Sequence, residues 1–271
     1  MSKSLLLQCL PVLPPHPPAS ARASETARRS ADRGLTLFSR FGFACPKLSF
    51  SPDLRKKKKL CVCVFVCVDY IINVLGVPAA DANEVSGRLY RQYGLTVVGL
   101  MAENYGVDLD GWHKHVHGTL DYAKLLPRNE PLKELLDSLT MPKYIFTNAD
   151  REHADTCLRQ IGIQDCFDGI IAFDCIVDRA RELTGNAEGA ELMGQVFCKP
   201  DRRAFEYALG RIGEESAGAT MFLDDSAANI KGAKDAGLQT VLVGSESPCE
   251  GADFAIEVFT GLRDAAPHLW Q

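Results

Sequence analysis

The stretch MFLDDSAANIKGAKDAG, residues 221–237, sets the frame for the whole chain. A short apolar run ends on two adjacent carboxylates, Asp224 and Asp225, and a helical pattern starts at once behind Ser226. A buried strand that delivers acids to its carboxyl end and turns straight into a helix is a unit of a parallel α/β sheet, where ligands bind beyond the strand ends.

Reading outward, the alternation continues. PLKELLDSL is a helix, KYIFTNAD a strand, HADTCLRQIGI a helix and GIIAFDCI a strand. RRAFEYALGRIG is a helix, ATMFLDD a strand, SAANIKGAKDAG a helix and QTVLVG a strand. Short strands alternating with helices predict a parallel sheet over residues 128–271, with helices on both faces. Upstream, residues 69–127 carry a helical pattern alone, punctuated by Gly76, Gly106 and Pro127.

The 271 residues suffice for one sizeable core, or one core with a smaller appended domain. Charge is unevenly spread. Residues 1–59 hold 12 Lys/Arg against 3 Asp/Glu, a net +9, and residues 60–271 hold 18 against 32, a net −14. The acidic part is a poor non-specific nucleic-acid binder, because that binding rests on neutralising phosphates. Residues 1–59 lack periodicity and read as a disordered, basic segment. It is open to three readings: an organelle transit peptide, a genuine tail, or translated non-coding sequence from a faulty gene model. The run LCVCVFVCV at 60–68 is far short of a membrane span and reads as a core strand. Ten cysteines without a CxxC pair suggest reduced, mostly buried thiols; a zinc site from Cys61, Cys63 and Cys67 lacks a second ligand pair.

Three clusters converge at the expected strand ends. Thr147 and Asn148 close one strand, Lys199 precedes Pro200 before a helix, and Asp224 and Asp225 close another strand, with Asn229 shortly after. Carboxylates there suit Mg²⁺, which prefers oxygen ligands, and a hydroxyl, a fixed lysine and a divalent ion together neutralise a phosphate. Singly, each has a plainer role: a strand-end hydroxyl, a solvated lysine, a helix N-cap pair. His113, His115 and His117 lie close together, and His113 and His117 share a helix face at i, i+4, a spacing also seen in metal pairs; no third ligand is evident, and a cap-helix role for them stands beside it.

FTNAD, CKP and FLDDSAANIKGAKDAGLQTVLVG, with LYRQYGLTVVGL, HVHG and GIQDCFDGIIAFD, resemble the haloacid dehalogenase-like hydrolase superfamily, in particular its pyrimidine 5′-nucleotidase-like branch. The resemblance covers about residues 69–271. It implies a Rossmann-like α/β core over residues 128–271 with a small helical cap domain over 69–127, and Mg²⁺-dependent hydrolysis of small phosphomonoesters, nucleoside 5′-monophosphates among them, through an aspartyl-phosphate in a cytoplasmic protein. Carried over residue by residue, Thr147 and the Asn148 amide bind phosphoryl oxygens, Lys199 holds phosphate and nucleophile in register, and Asp225 ligates Mg²⁺ with Asp224 and Asn229 in support.

The family also requires a D-x-D-x-[T/V] motif on its first strand, whose first Asp attacks phosphorus and whose second is the acid/base. This chain lacks it. Asp108 and Asp110 have the spacing, but no apolar strand precedes them and the resemblance puts them in the cap. Asp69 follows the apolar run and would stand at a strand end as a nucleophile does, but Ile71 takes the place of the second Asp. The sequence therefore predicts a phosphohydrolase scaffold impaired in hydrolysis. The alternatives are a non-catalytic nucleotide-binding or interaction protein, and a truncated gene model of an active enzyme.

Overall fold

The computed structural model describes residues 4–7, 62–185, 189–213 and 217–270. Six parallel strands form one sheet: β1 (Ser4–Leu7), β2 (Lys143–Phe146), β3 (Gly169–Ile171), β4 (Thr220–Asp224), β5 (Gln239–Val243) and β6 (Phe254–Ile256), in the order β3-β2-β1-β4-β5-β6. β1 is central: Leu7 is in register with Ile145 of β2 on one side and Leu223 of β4 on the other.

The period of two in each strand sorts side chains to two cores. Ile145, Met221, Leu223 and Val241 join one cluster, with α6 (Glu130–Asp137), α7 (Arg151–Ile161) and the C-terminal residues Phe259, Leu262 and Leu269. Phe146, Phe222 and Leu242 face the other side, against α10 (Arg202–Ile212) and α11 (Ala227–Asp235). Phe146, Phe205 and Phe222 meet there edge to face or tilted, with ring centroids 5.3–6.2 Å apart.

A third cluster belongs to the helical part, α1 (Val62–Asn73), α2 (Ala82–Tyr93), α3 (Thr96–Ala102) and α4 (Leu109–Val116), with the short α5 (Tyr122–Leu125) leading back to the sheet. It packs on α8 (Phe173–Thr184) and α9 (Gly189–Gln195) through Phe173, Val177, Ala180 and Leu192.

Three expectations need correction. Residues 62–68 of the run at 60–68 are helical, the first half of α1, and are not a core strand. Val68 and Ile71 are buried one helical turn apart, and Tyr70 meets Trp112 of α4 edge-on at 5.0 Å; this packing overrides the β propensity of the valines. The sheet position is filled instead by Ser4–Leu7, within the segment expected to be structureless; most of residues 1–59 lies outside the described residues. Last, GIIAFDCI is a strand only as far as Ile171. From Phe173 the chain is α8, and Phe173, Ile176, Val177 and Ala180 are buried at helical spacing.

Candidate active site

The carboxyl ends of β2 and β4 flank β1, and the chemistry-bearing side chains gather around them. Lys199 comes from the segment before α10, and its side chain is fully buried. Its ammonium donates to the Phe146 carbonyl, the last residue of β2, at 2.5 Å, and to Asp224 Oδ2, the last residue of β4, at 3.3 Å. It also lies 4.6 Å from the Phe146 ring centroid and 5.1 Å from that of Phe222. One cation thus bridges the strand ends on either side of the central strand. Burial pushes the Lys199 ammonium below its usual range, and Asp224 works against that shift.

Two features fix the lysine. The Asn148 side chain donates to the Lys199 carbonyl at 2.9 Å and accepts from its amide at 3.0 Å, clamping the segment to the end of β2. Gly232 of α11 packs so closely that a Cβ there would fall onto the Pro200 carbonyl oxygen. Thr147 is buried, and its Oγ1 accepts the Ala149 amide at 3.1 Å, which folds the loop back over the strand end.

Asp224 is wholly buried and well partnered. Besides Lys199, its oxygens accept the Ser226 amide at 2.8 Å and the Asn229 side-chain amide at 3.2 and 3.0 Å. Ser226, not either aspartate, is the N-cap of α11. Asp225 is exposed, yet the crowded cleft and the neighbouring Asp224 raise its carboxyl above the usual carboxylate range. Two carboxylates on adjacent residues, with the Asn229 side chain bonded to the first of them, are oxygen-rich surroundings that fit a hard cation keeping several of its waters. Among the described residues no group of three His, Cys, Asp or Glu is assembled as a metal site by itself.

All the residues expected from the three clusters, Thr147, Asn148, Lys199, Asp224, Asp225 and Asn229, are therefore brought to one edge of the sheet. Asp69 is not. It lies within α1, where Asn73 donates to it at 2.7 Å and His115 Nε2 stands 3.0 Å away, so the strand-end position expected for it is corrected. Asp108 caps α4 by accepting the Gly111 amide at 2.8 Å.

Next to the Thr147 loop stands a group that the sequence reading left incomplete. Asp150, the N-cap of α7, accepts the His153 amide at 2.8 Å and contacts His117 Nδ1 closely through its other oxygen. His113 and His117 thus face a carboxylate thirty-three residues beyond His117, which nothing in the sequence pattern ties to them. A cleft of about 620 Å³ opens beside Asn229 and Ser226, walled by Tyr93, Arg91, Phe197 and Arg203. No helix among the described residues is long and apolar enough to cross a membrane.

Residues 74–237, more than half of the chain, match a family model described as haloacid dehalogenase-like hydrolase. Phosphate metabolism protein 8 of Saccharomyces cerevisiae is 30% identical over 175 residues, which are 62% of this chain and 50% of that protein. The chain thus spans about half the length of the curated relative it matches. Among solved structures, the L-2-haloacid dehalogenase of Xanthobacter autotrophicus with covalently bound chloropropionic acid is 12% identical, with a TM-score of 0.48 over 97% of this chain and 98% of that one. The magnesium-bound hydrolase YfnB of Bacillus subtilis is 18% identical, with a TM-score of 0.46 over 97% of each.

Proposed function

The chain belongs to the haloacid dehalogenase-like hydrolase family, and from that premise we propose that it binds a small phosphomonoester, of the nucleoside 5′-monophosphate class, with Mg²⁺, and is impaired in hydrolysing it. The observation that carries this reading is the buried Lys199 ammonium spanning the ends of β2 and β4. A cation held by a backbone carbonyl and a carboxylate at a parallel strand edge is preorganised for an anion above it.

Each residue has a task in this reading. Thr147 would offer its hydroxyl and Asn148 its backbone amide to phosphoryl oxygens. Asn148 keeps Lys199 from swinging away through its two hydrogen bonds. Asp225 would hold Mg²⁺, with Asp224 and Asn229 behind it, and the ion would supply charge neutralisation for the phosphate. Asp224 is committed to Lys199, Ser226 and Asn229, so it orients the site more than it ligates.

The impairment follows from the central strand. β1 ends at Leu7, and the next residues in sequence are Gln8 and Cys9; the first carboxylate after Leu7 is Glu25. A phosphohydrolase of this type needs a carboxylate there to form the aspartyl-phosphate and a second to move the proton. Loss of the acid/base alone costs on the order of 10²–10⁴ in rate. Phosphate release from UMP or CMP with Mg²⁺, measured for the full chain and for Asp225→Ala, tests this. Equal, negligible release from both is expected. Release that vanishes in Asp225→Ala would show that a nucleophile operates and would overturn the impairment.

A further inference from the structure

The cluster around Asp150 is used by none of the chemistry above. Its carboxylate side chain is only 7% exposed, and it faces two imidazoles from one direction. His117 Nδ1 contacts Oδ2 directly, and His113 Nδ1 is 4.0 Å from the same oxygen. Both come from α4 and its C-cap, on the helical side. The third imidazole, His153, belongs to α7 on the sheet side and stacks on His117 at 4.2 Å between ring centroids. His113 stacks on the outer face of His117 at 5.9 Å.

The charge state of His153 follows from its partners. Tyr122 of α5 reaches the His117 carbonyl at 3.1 Å, and its hydroxyl oxygen stands 2.8 Å from His153 Nδ1. His153 Nε2 lies 3.6 Å from the Cys157 thiol. A neutral imidazole offers one donor and one acceptor to these two neighbours, whichever nitrogen carries the hydrogen. A second ring proton would turn the acceptor into a donor and would stand beside a stacked ring already paired with Asp150.

We propose that the stack of His113, His117 and His153 around Asp150 is an acid-opened latch, which holds the helical part against the loop carrying Thr147 at neutral pH and releases it on acidification. Asp150 is three residues beyond Thr147, so releasing the latch frees one flank of the loop that the sheet positions. The latch stands on its own geometry, whatever the site binds.

Burial sets the direction, against the carboxylates that face the rings. His153 faces His117, His113 and Asp150, with Tyr122 and Cys157 on its two nitrogens, and burial holds it at about 4. His113 faces Asp150, Asp174 of α8, Asp110 of α4 and His117, and burial outweighs the carboxylates and lowers it too. The remaining histidine of α4, His115, turns away to Asp69 and Tyr70. A ring that titrates at about 4 when closed and at the ordinary 6.5 when open favours opening by about thirtyfold more at pH 5 than at pH 7.5.

Hydrogen exchange of the full chain at pH 7.5 and pH 5, expressed as protection factors, tests the latch. Protection across 109–126 is expected to fall about thirtyfold while β4 and β5 keep theirs. In His153→Gln, which keeps a polar side chain and cannot titrate, most of that fall is expected to disappear. Should the variant not fold, NMR titration of the His153 ring in the unaltered chain reads the same property, and titration at about 4 is expected. Protection that ignores pH, an undiminished fall in His153→Gln, or a His153 ring titrating at its ordinary value would each overturn the proposal.

Discussion

Lys199 and Asp224 are the two side chains on which the candidate site turns, and both are completely buried. A buried ion pair is weak evidence of stability, but removing one partner leaves an uncompensated charge. Lys199→Met should therefore lower unfolding stability by about 3–5 kcal/mol in urea titration. Asp225 is exposed, so Asp225→Ala should change stability by less than about 0.5 kcal/mol, while abolishing any dependence of ligand binding on Mg²⁺. All six residues at the strand edge were legible in the sequence, because a hydroxyl, a lysine and paired acids at strand ends are chemically specific in combination. Asp150 and His153 were not, since a capping aspartate looks the same whether or not a histidine reaches it from a distant helix. They carry a pH dependence of stability. His153 is held below its ordinary value, so its contribution is present in full above 6.5 and is lost as pH falls toward 4. Asp150 is held well below the carboxylate range, so its contribution persists above that range and disappears only in stronger acid. Stability measured at pH 5 should lie about 2 kcal/mol under that at pH 7.5, and a flat profile would contradict these assignments.

Among the elements, α11 is the one whose small residue has a clear purpose. A glycine within a helix ordinarily costs about 1 kcal/mol relative to alanine. Gly232 is kept where a Cβ would collide with the Pro200 carbonyl and reach within 3.0 Å of the Phe205 ring. Gly232→Ala should thus destabilise by about 1–3 kcal/mol despite its better helix propensity, and should weaken phosphate binding by shifting Lys199. Calorimetry showing a higher melting temperature would refute that packing. The helices α6, α7, α10 and α11 were readable from amphipathic spacing and start at Asn, Asp or Ser caps. The strand β3 was overextended because AFDCI is apolar enough to prolong it; only the buried series Phe173, Ile176, Val177 and Ala180 reveals the helix. The run at 60–68 misled for the same reason, since nine apolar residues carry no period of their own.

For the whole molecule, the parallel sheet was evident from the alternation of elements, but its middle was not. Ser4–Leu7 offers four residues and no pattern, yet it joins β2 to β4. Without it the sheet is two separate pieces, β3-β2 and β4-β5-β6. A chain starting at residue 60 should lose cooperative unfolding, and a sharp, unshifted melting transition would show that β1 is dispensable. In the proposed reading the same strand separates binding from chemistry: Thr147, Lys199 and Asp225 lie around the strand ends on either side of it, and no carboxylate follows it in sequence before Glu25. Isothermal titration of UMP into the full chain, with and without Mg²⁺, and into Asp225→Ala, measures the cradle directly. Binding that requires Mg²⁺ and is lost in Asp225→Ala is the predicted result. Binding of equal strength in all three titrations, or none in any, would contradict the account.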